Sequence, residues 1–521
     1  MDAAISPAPP QDRLARIDGA LRARRVAEAC AAAQALTADE PDFLDGWLAL
    51  ARCHQMAGDH DAMRQALASA LEIDPASPLA RLMDAEALVH QGRVADAAAA
   101  FAAMESDAGT DAAWLARIGE GYGQCGRHAD AVSCIRAALA LEPGAHATRY
   151  SLATHLIALG ELEAAEAEFD RVIARVPHDY DAYYNRATLR RQTPSRNHVA
   201  ELRRMLKAPH RTAMAPVQLN YALAKELEDL GRDTESFEAL KTGADLRRRL
   251  MRYDVRGDVA TMEAISGAFD AGYCSKAHRG VEAEGPVFVL GLPRSGTTLT
   301  DRILSAHPQI ESLGELNDFP LALTALCRGA SGKTGLVDAA RSLDPAALGR
   351  AYLDRVSGRR GEARFFIDKA PANFLYIALI AAALPRARIV HLRRDPMDNA
   401  YSLYKALFRM GYPYSYDFAD LAAYMTAKDR LMAHWHAVLP GRIIEVRYED
   451  IVAGQEAETR RLLDAVGVDF DPACLDFHRN ASPSATHSAA QVRQPLYASS
   501  IGLWRRYENQ LAPLARLLDA S

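Results

Sequence analysis

Short apolar runs in the second half of the chain predict a sheet of parallel strands. Residues 287–290 are consecutive apolar positions, Val287 and Val289 being β-branched, a pattern typical of a strand buried on both faces. Leu299 and Ile303 then recur at helical spacing until Pro308. Further strands are predicted at residues 365–369, 388–392 and 443–448, with a helix at about 373–383. Alternation of strands with helices predicts helices on both faces of the sheet and ligands at the carboxyl ends of the strands.

The first half of the chain repeats with a period of 34 residues between positions 12 and 177. Glycines and prolines recur in one register, Gly109 fills the slot that lacks proline, and a small residue lies seven positions before each glycine. The positions are Gly58, Gly92, Gly126 and Gly160; Pro41, Pro75, Pro143 and Pro177; Ala51, Ala85, Gly119 and Ala153. Small residues let paired helices approach, glycine turns the hairpin and proline ends the second helix, which is the signature of tetratricopeptide repeats.

These patterns predict an α-solenoid of tetratricopeptide repeats followed by an α/β domain. The solenoid is expected over residues 12–251, with degenerate capping pairs at 180–206 and 219–251, because a terminal repeat must hide its apolar face. Residues 1–11, rich in proline, are expected to be a disordered leader. Residues 252–282, with several glycines, are interpreted as a linker to a second domain over residues 283–521.

Composition excludes some functions and places the protein in a compartment. A net charge of −6 gives no reason to expect nucleic acid or an anionic membrane as a partner. The longest apolar run, residues 374–384, is too short to cross a membrane. Seven cysteines without a C-x-x-C pair favour reduced thiols, neither disulfides nor zinc, and a cytoplasmic location.

The turn after the first predicted strand has the features of an anion-binding loop. Gly291 and Gly296 flank it, and the following helix would offer unpaired backbone N–H groups to a phosphate. Arg294 adds a fixed charge with several donors. Thr297 occupies the position where a nucleotide-triphosphate P-loop needs lysine, so magnesium ATP is not the expected ligand.

Residues 293–298, Pro-Arg-Ser-Gly-Thr-Thr, resemble the 5′-phosphosulfate loop of sulfotransferases, in the form seen in tyrosylprotein sulfotransferases. That family holds the donor 3′-phosphoadenylyl sulfate (PAPS), and the resemblance implies an α/β, P-loop-like sulfotransferase domain. Arg394, before the helix cap Asp395-Pro396, and Ser402 eight residues on resemble the family's 3′-phosphate site. The resemblance implies donor binding by Arg294, Ser295, Gly296, Thr297, Thr298, Arg394 and Ser402.

The same resemblance assigns catalytic roles to residues beyond the loop. Gly314-Glu315 matches the pair that holds the family's catalytic base, and Lys369 and Ser488 match donors to the bridging oxygen. Tyr448 matches an adenine-contacting tyrosine, and the pair Gln491 and Val492 follows Ser488 as in the family. Sulfuryl transfer, by analogy with phosphoryl transfer, depends mostly on positioning and charge stabilisation. The transferred group carries less negative charge than a phosphoryl group, so no metal is expected.

The chain departs from the family at two positions, and alternatives stay open. Leu503 stands where the family has a basic residue, and the second arginine of the 3′-phosphate helix is replaced around Lys405. The alternative base is a histidine, as in small-molecule sulfotransferases. The candidate is His487, next to Ser488, because His391 within a strand and His307 at a helix end are interpreted as structural.

The acceptor and the partner also stay open at this point. The repeats suit a protein or peptide partner and are compatible with a homodimer. The acceptor hydroxyl is peptide tyrosine, a glycan or a small phenol. A scaffold with a degenerate nucleotide domain is the alternative to an enzyme, and a nucleotide kinase is disfavoured by the missing P-loop lysine.

Overall fold

A computed structural model of the chain describes residues 8–276, 278–408, 411–480, 492 and 494–519. The chain forms two compact units, Met1–His155 with Ser357–Arg359, and Leu156–Val356 with Arg360–Ser521. The predicted boundary near residue 251 does not coincide with this division. The helices after residue 155 belong to the same compact unit as the sheet.

The first unit is built from paired helices. They are α1 (Pro10–Arg22), α2 (Val26–Asp39), α3 (Leu44–Ala57), α4 (His60–Ile73), α5 (Pro78–His90), α6 (Val94–Ala108), α7 (Ala112–Gln124) and α8 (His128–Leu141), and α9 (His146–Leu159) continues into the second unit. Helix α1 begins at Pro10, where proline is tolerated, so residues 10 and 11 of the predicted leader are helical.

The 34-residue period is confirmed by the local geometry. The four repeat glycines have φ between 74° and 83°, in the left-handed region that favours glycine. The four repeat prolines each lie two residues after the end of a helix, namely α2, α4, α8 and the next helix, α10 (Leu162–Arg175). A Cβ atom on Gly119 would lie 2.6 Å from the side chain of Ile135, so this position requires the close approach of helices that the sequence predicts.

The second unit begins with further helices: α10, α11 (Tyr180–Thr188), α12 (Val199–Lys207), α13 (Ala215–Asp229), α14 (Asp233–Arg249), α15 (Val255–Ala268) and α16 (Ala271–Cys274). The region interpreted as a linker thus contains α15. Its residues Met262, Ile265 and Ala268 are buried, because they recur at helical spacing and form one apolar face. The glycines of this region therefore did not mark an open linker.

The sheet has five parallel strands: β1 (Pro286–Gly291), β2 (Ile310–Ser312), β3 (Phe365–Asp368), β4 (Arg388–Arg393) and β5 (Ile443–Arg447). Their order is β2-β3-β1-β4-β5, so the predicted parallel sheet is confirmed. Strand β2 is too short, at three residues, for its apolar pattern to be recognised from the sequence.

Helices cover both faces of the central strand. The remaining helices are α17 (Thr297–Ser305), α18 (Asp318–Leu326), α19 (Gly332–Arg341), α20 (Pro345–Ser357), α21 (Ile377–Ala383), α22 (Pro396–Tyr404), α23 (Phe418–Val438), α24 (Tyr448–Ala453), α25 (Gln455–Val466) and α26 (Glu508–Asp519). Short 3₁₀ segments lie at Pro371–Tyr376, Pro413–Tyr416, Pro472–Arg479 and Leu503–Tyr507. Val287 and Val289 pack with α17 and α25, whereas Phe288 contacts aromatic residues of α18 and α20. Among the described helices, none combines the length and apolar character that a membrane crossing requires.

Candidate functional site

The carboxyl ends of all five strands lead into candidate site residues. Glu315 follows β2, Lys369 follows β3, and the glycine loop of residues 291–296 follows β1. Arg394 follows β4, and Tyr448 follows β5. Because the strands are parallel and adjacent in this order, one edge of the sheet brings these elements together from distant parts of the chain.

The glycine loop is tightly built at its junction with α17. Gly296 has φ 107°, and a Cβ atom there would lie 2.9 Å from the ring of Tyr448, so the position accepts only glycine. Arg294 has φ 68°, a rare conformation for a residue with a side chain. Strain of this kind clusters at functional sites. Thr297 and Thr298, both buried, begin the helix, whose N–H groups face the loop.

Two arginines meet beside the loop. Arg394 donates hydrogen bonds to the backbone oxygens of Arg294 at 3.0 Å and of Ser500 at 2.7 Å. Arg294 donates from Nε to Ser402 Oγ at 3.2 Å. Burial, and then the neighbouring charge of Arg394, lower the pKa of Arg294. An anion between the two guanidinium groups would relieve this repulsion.

These residues line a cavity of about 250 Å³. Of the predicted donor-binding residues, those at the cavity are Arg294, Gly296, Thr297, Thr298, Arg394, Ser402, Tyr448 and Val492. Ser295 is 1% exposed and is not among the lining residues. Leu503 lines the cavity, so an apolar side chain stands where sulfotransferases of the resembled family have a basic residue. Ser488, Gln491 and His487 lie outside the described residues.

Tyr448 forms the wall of the cavity next to the loop. Its ring lies 4.7 Å from the guanidinium carbon of Arg394, and its hydroxyl is 2.8 Å from Ser500 Oγ. The sequence predicts that this residue ends β5, but it is the first residue of α24. A flat aromatic face at this place suits a planar base.

Lys369 and Glu315 form an ion pair at the ends of β3 and β2. Lys369 is 1% exposed, and its backbone N–H donates to Gly314 O at 3.0 Å. The Glu315 side chain is 48% exposed, so one member of the pair faces solvent. Neither residue lines the cavity described above. Lys369 nevertheless follows the strand next to β1, beside the start of the loop.

Two buried carboxyl groups support this pair, and sequence patterns missed both. Burial raises the pKa of Asp301, on α17, although Lys369 opposes this. Burial also raises the pKa of Asp368 from 3.8 to about 7, while Tyr352 and Asn373 donate hydrogen bonds to it at 3.0 and 3.2 Å. The hydrogen bonds fix the end of β3, and hence the place of Lys369.

A glutamate from the repeat-like helices contacts two residues that line the cavity. Glu228 of α13 accepts hydrogen bonds from Lys405 Nζ at 2.7 Å, from Tyr401 and from Tyr507. Tyr401 and Lys405 line the cavity. Burial would raise the pKa of Glu228, but Lys405 and Tyr401 lower it overall. No local pattern links α13 to α22, so the sequence contains no signal of this contact.

The alternative histidine bases have other surroundings. His307 Nε2 lies 3.1 Å from the backbone oxygen of Asp469, and His391 is buried within β4. Neither lines the cavity.

Comparisons with known proteins match different parts of the chain to two families, and the repeat match at residues 124–189 crosses the boundary between the two compact units. The Sulfotransferase family model matches residues 286–472, and two Tetratricopeptide repeat models match residues 44–87 and 124–189. An uncharacterized protein of Aquifex aeolicus is 29% identical over 377 residues, which cover 70% of this chain and 49% of that protein. The matched region thus spans about half the length of this relative.

Two sulfotransferases are more distant. A putative protein-tyrosine sulfotransferase of Caenorhabditis briggsae is 23% identical over 224 residues, covering 42% of this chain and 80% of that protein. The solved sulfotransferase domain of the Synechococcus PCC 7002 olefin synthase is 20% identical and covers 44% of this chain and 98% of its own, with a TM-score of 0.29. The family models thus give the chain tetratricopeptide repeats at residues 44–87 and 124–189 and a sulfotransferase-family domain at residues 286–472.

Proposed function

We propose that this protein transfers a sulfuryl group from PAPS to an acceptor hydroxyl. The observation that carries the proposal is the meeting of Arg294 and Arg394 at one cavity, between a glycine loop and a helix N-terminus. A nucleotide with phosphates at both its 5′ and 3′ positions matches two such anion sites. A reducing, cytoplasmic compartment is part of this proposal, supported by the free thiols of the chain.

Each group has a role in the proposed mechanism. The loop N–H groups and Arg294 bind the 5′-phosphosulfate, Arg394 and Ser402 bind the 3′-phosphate, and Tyr448 contacts adenine. Glu315, exposed to solvent and to an incoming acceptor, takes the hydroxyl proton as the oxygen attacks sulfur. Lys369 stabilises the negative charge that develops on the departing phosphate. In this proposal Ser488 shares that task, and Ser295, Gln491 and Val492 complete the donor site.

Arg394→Ala is expected to weaken binding of 3′-phosphoadenosine 5′-phosphate by roughly 10- to 100-fold, because a charged hydrogen bond contributes about 1.5 to 3 kcal/mol. Its affinity for ADP should change little, so the preference disappears. Calorimetry with both nucleotides measures this. Arg393→Ala is the matched control, since Arg393 does not line the cavity. Equal affinities of the unaltered protein for the two nucleotides would refute PAPS as donor.

The acceptor we propose is a tyrosine in a peptide or protein. A carboxylate is a weak base, and a phenol with a pKa of about 10 is easier to activate than an aliphatic hydroxyl. A repeat solenoid offers an extended surface that suits peptide segments. A glycan or a small phenol remains the alternative acceptor.

A shortened chain that begins at Glu161 is expected to lose sulfation of a tyrosine peptide but to keep its rate on a small phenol. The deletion removes the first unit except Ser357–Arg359 and leaves α10 and the later helices. Initial rates with labelled PAPS on both acceptors measure the ratio, and circular dichroism confirms that the shortened chain is folded. An equal loss of rate on both acceptors would show that the repeats take no part in acceptor recognition. A lack of peptide sulfation by the full chain would assign another acceptor class.

A further inference from the structure

A cluster of metal-ligating side chains lies on one face of the sheet, apart from the cavity. His391 of β4 is paired in register with Glu445 of β5, so the two side chains point to the same face. His436, near the end of α23, approaches the same carboxylate. None of the three lines the cavity of the proposed donor site.

The distances fit a small tetrahedral ion. His391 Nδ1 lies 3.6 Å and His436 Nε2 lies 3.3 Å from Glu445 Oε1, and all three ligand atoms lie within 4.8 Å of one another. Zinc bonds of about 2.0 to 2.1 Å place tetrahedral ligand atoms about 3.3 Å apart. Because the His436 side chain is 38% exposed, a small rotation of that side chain is enough to close the third distance.

The surroundings of His391 are an independent indication of a metal site. It is 1% exposed, and neither ring nitrogen has a hydrogen-bond partner among the described residues. The 3.6 Å contact with Glu445 is too long for a hydrogen bond. A buried polar group without a partner costs free energy that a metal bond would offset.

Two cations oppose the binding of a metal ion. Arg393 Nη1 lies 3.6 Å from Glu445 Oε1, and the buried Lys428 is paired with Asp429 at 3.1 Å. The Arg393 side chain is 57% exposed and can turn toward water, whereas Lys428 is held in place. Arg393 therefore competes directly with a metal ion for the carboxylate.

We propose that His391, His436 and Glu445 bind one divalent transition-metal ion. The ion is zinc, because zinc is commonly bound by two imidazoles and one carboxylate, and a water molecule is its fourth ligand. The ion would tie α23 to the edge strand β5 and its neighbour β4. It takes no part in the proposed sulfuryl transfer.

The test is titration of zinc chloride into the full-length, chelator-stripped protein, followed by calorimetry and thermal melting. We expect one site, a higher melting temperature with zinc, and at least about tenfold weaker binding in His436→Asn and in Glu445→Gln. Both replaced side chains are more than a third exposed, so both variants should fold. His434→Asn, on the same helix but outside the cluster, is the control.

Arg393→Ala separates a metal site from a plain ion-pair network. If Arg393 competes with the ion, its removal tightens zinc binding, whereas a network without a metal site would not respond. The proposal is overturned if the full chain binds no zinc, if the affinity is unchanged in His436→Asn and Glu445→Gln, or if Arg393→Ala leaves it unchanged.

Discussion

Replacing Lys369 by alanine is expected to lower kcat by roughly 100- to 1000-fold, the usual cost of removing one donor that stabilises transition-state charge. The KM for the donor should change much less. In the proposed mechanism, the ammonium group is paired with Glu315 in the ground state, and the charge on the departing phosphate appears only in the transition state. Initial rates over a range of PAPS concentrations separate the two constants.

A second substitution of Lys369, together with a control at another lysine, isolates the role of the charge. Lys369 is buried, so alanine also leaves a cavity, whereas Lys369→Met keeps most of the volume and removes only the ammonium group. Both variants should show the same loss of turnover. Lys241→Ala, at an exposed lysine of α14, is the matched control. Full turnover of Lys369→Met at saturating donor would show that the lysine serves only the structure of the strand end.

A shortened chain that begins at Gly280 is expected not to fold, because it lacks α13 and α14. In the second unit, Tyr221 of α13 donates a hydrogen bond to the backbone oxygen of Tyr404 at 3.2 Å. Phe237 of α14 packs against the rings of Tyr404 and Tyr507, at centroid distances of 6.3 and 5.6 Å. Arg248 also pairs with Asp420 at 2.7 Å. These helices thus pack against Tyr404 of α22, the helix that also carries the cavity residues Tyr401 and Ser402.

The expected loss is large enough to unfold the domain. Tyr401, Tyr404 and Tyr507 are each at most 2% exposed. Uncovering three such side chains costs about 5 to 9 kcal/mol at about 1.5 to 3 kcal/mol each, against a typical stability of about 5 to 15 kcal/mol. Soluble yield and thermal melting by circular dichroism measure the effect. The chain that begins at Glu161 is the control, because it keeps both helices. Cooperative melting of the shorter chain within a few degrees of the control would contradict this prediction.

Local features were determined by the sequence itself. The glycines and prolines of the 34-residue period specify turns and helix ends, because glycine accepts positive φ and proline cannot continue a helix. Apolar runs predicted β1, β3, β4 and β5 with their approximate bounds. Asp395 caps α22 and Pro396 occupies its first position, as predicted, since both effects act within one turn.

Which of these elements share a unit, and which charges meet, depends on tertiary contacts. The local sequence of the helices from α11 to α15 predicts capping repeats or a linker, yet these helices belong to the unit of the sheet, with contacts such as that of Glu228 with Lys405. Two other contacts join separate strands: Lys369 pairs with Glu315, and His391 lies close to Glu445. The burial of Asp368 likewise depends on distant residues. Periodicity reports only which face of an element is apolar. The partner of that face, and the neutral or charged state of a group buried there, depend on residues far away in the sequence.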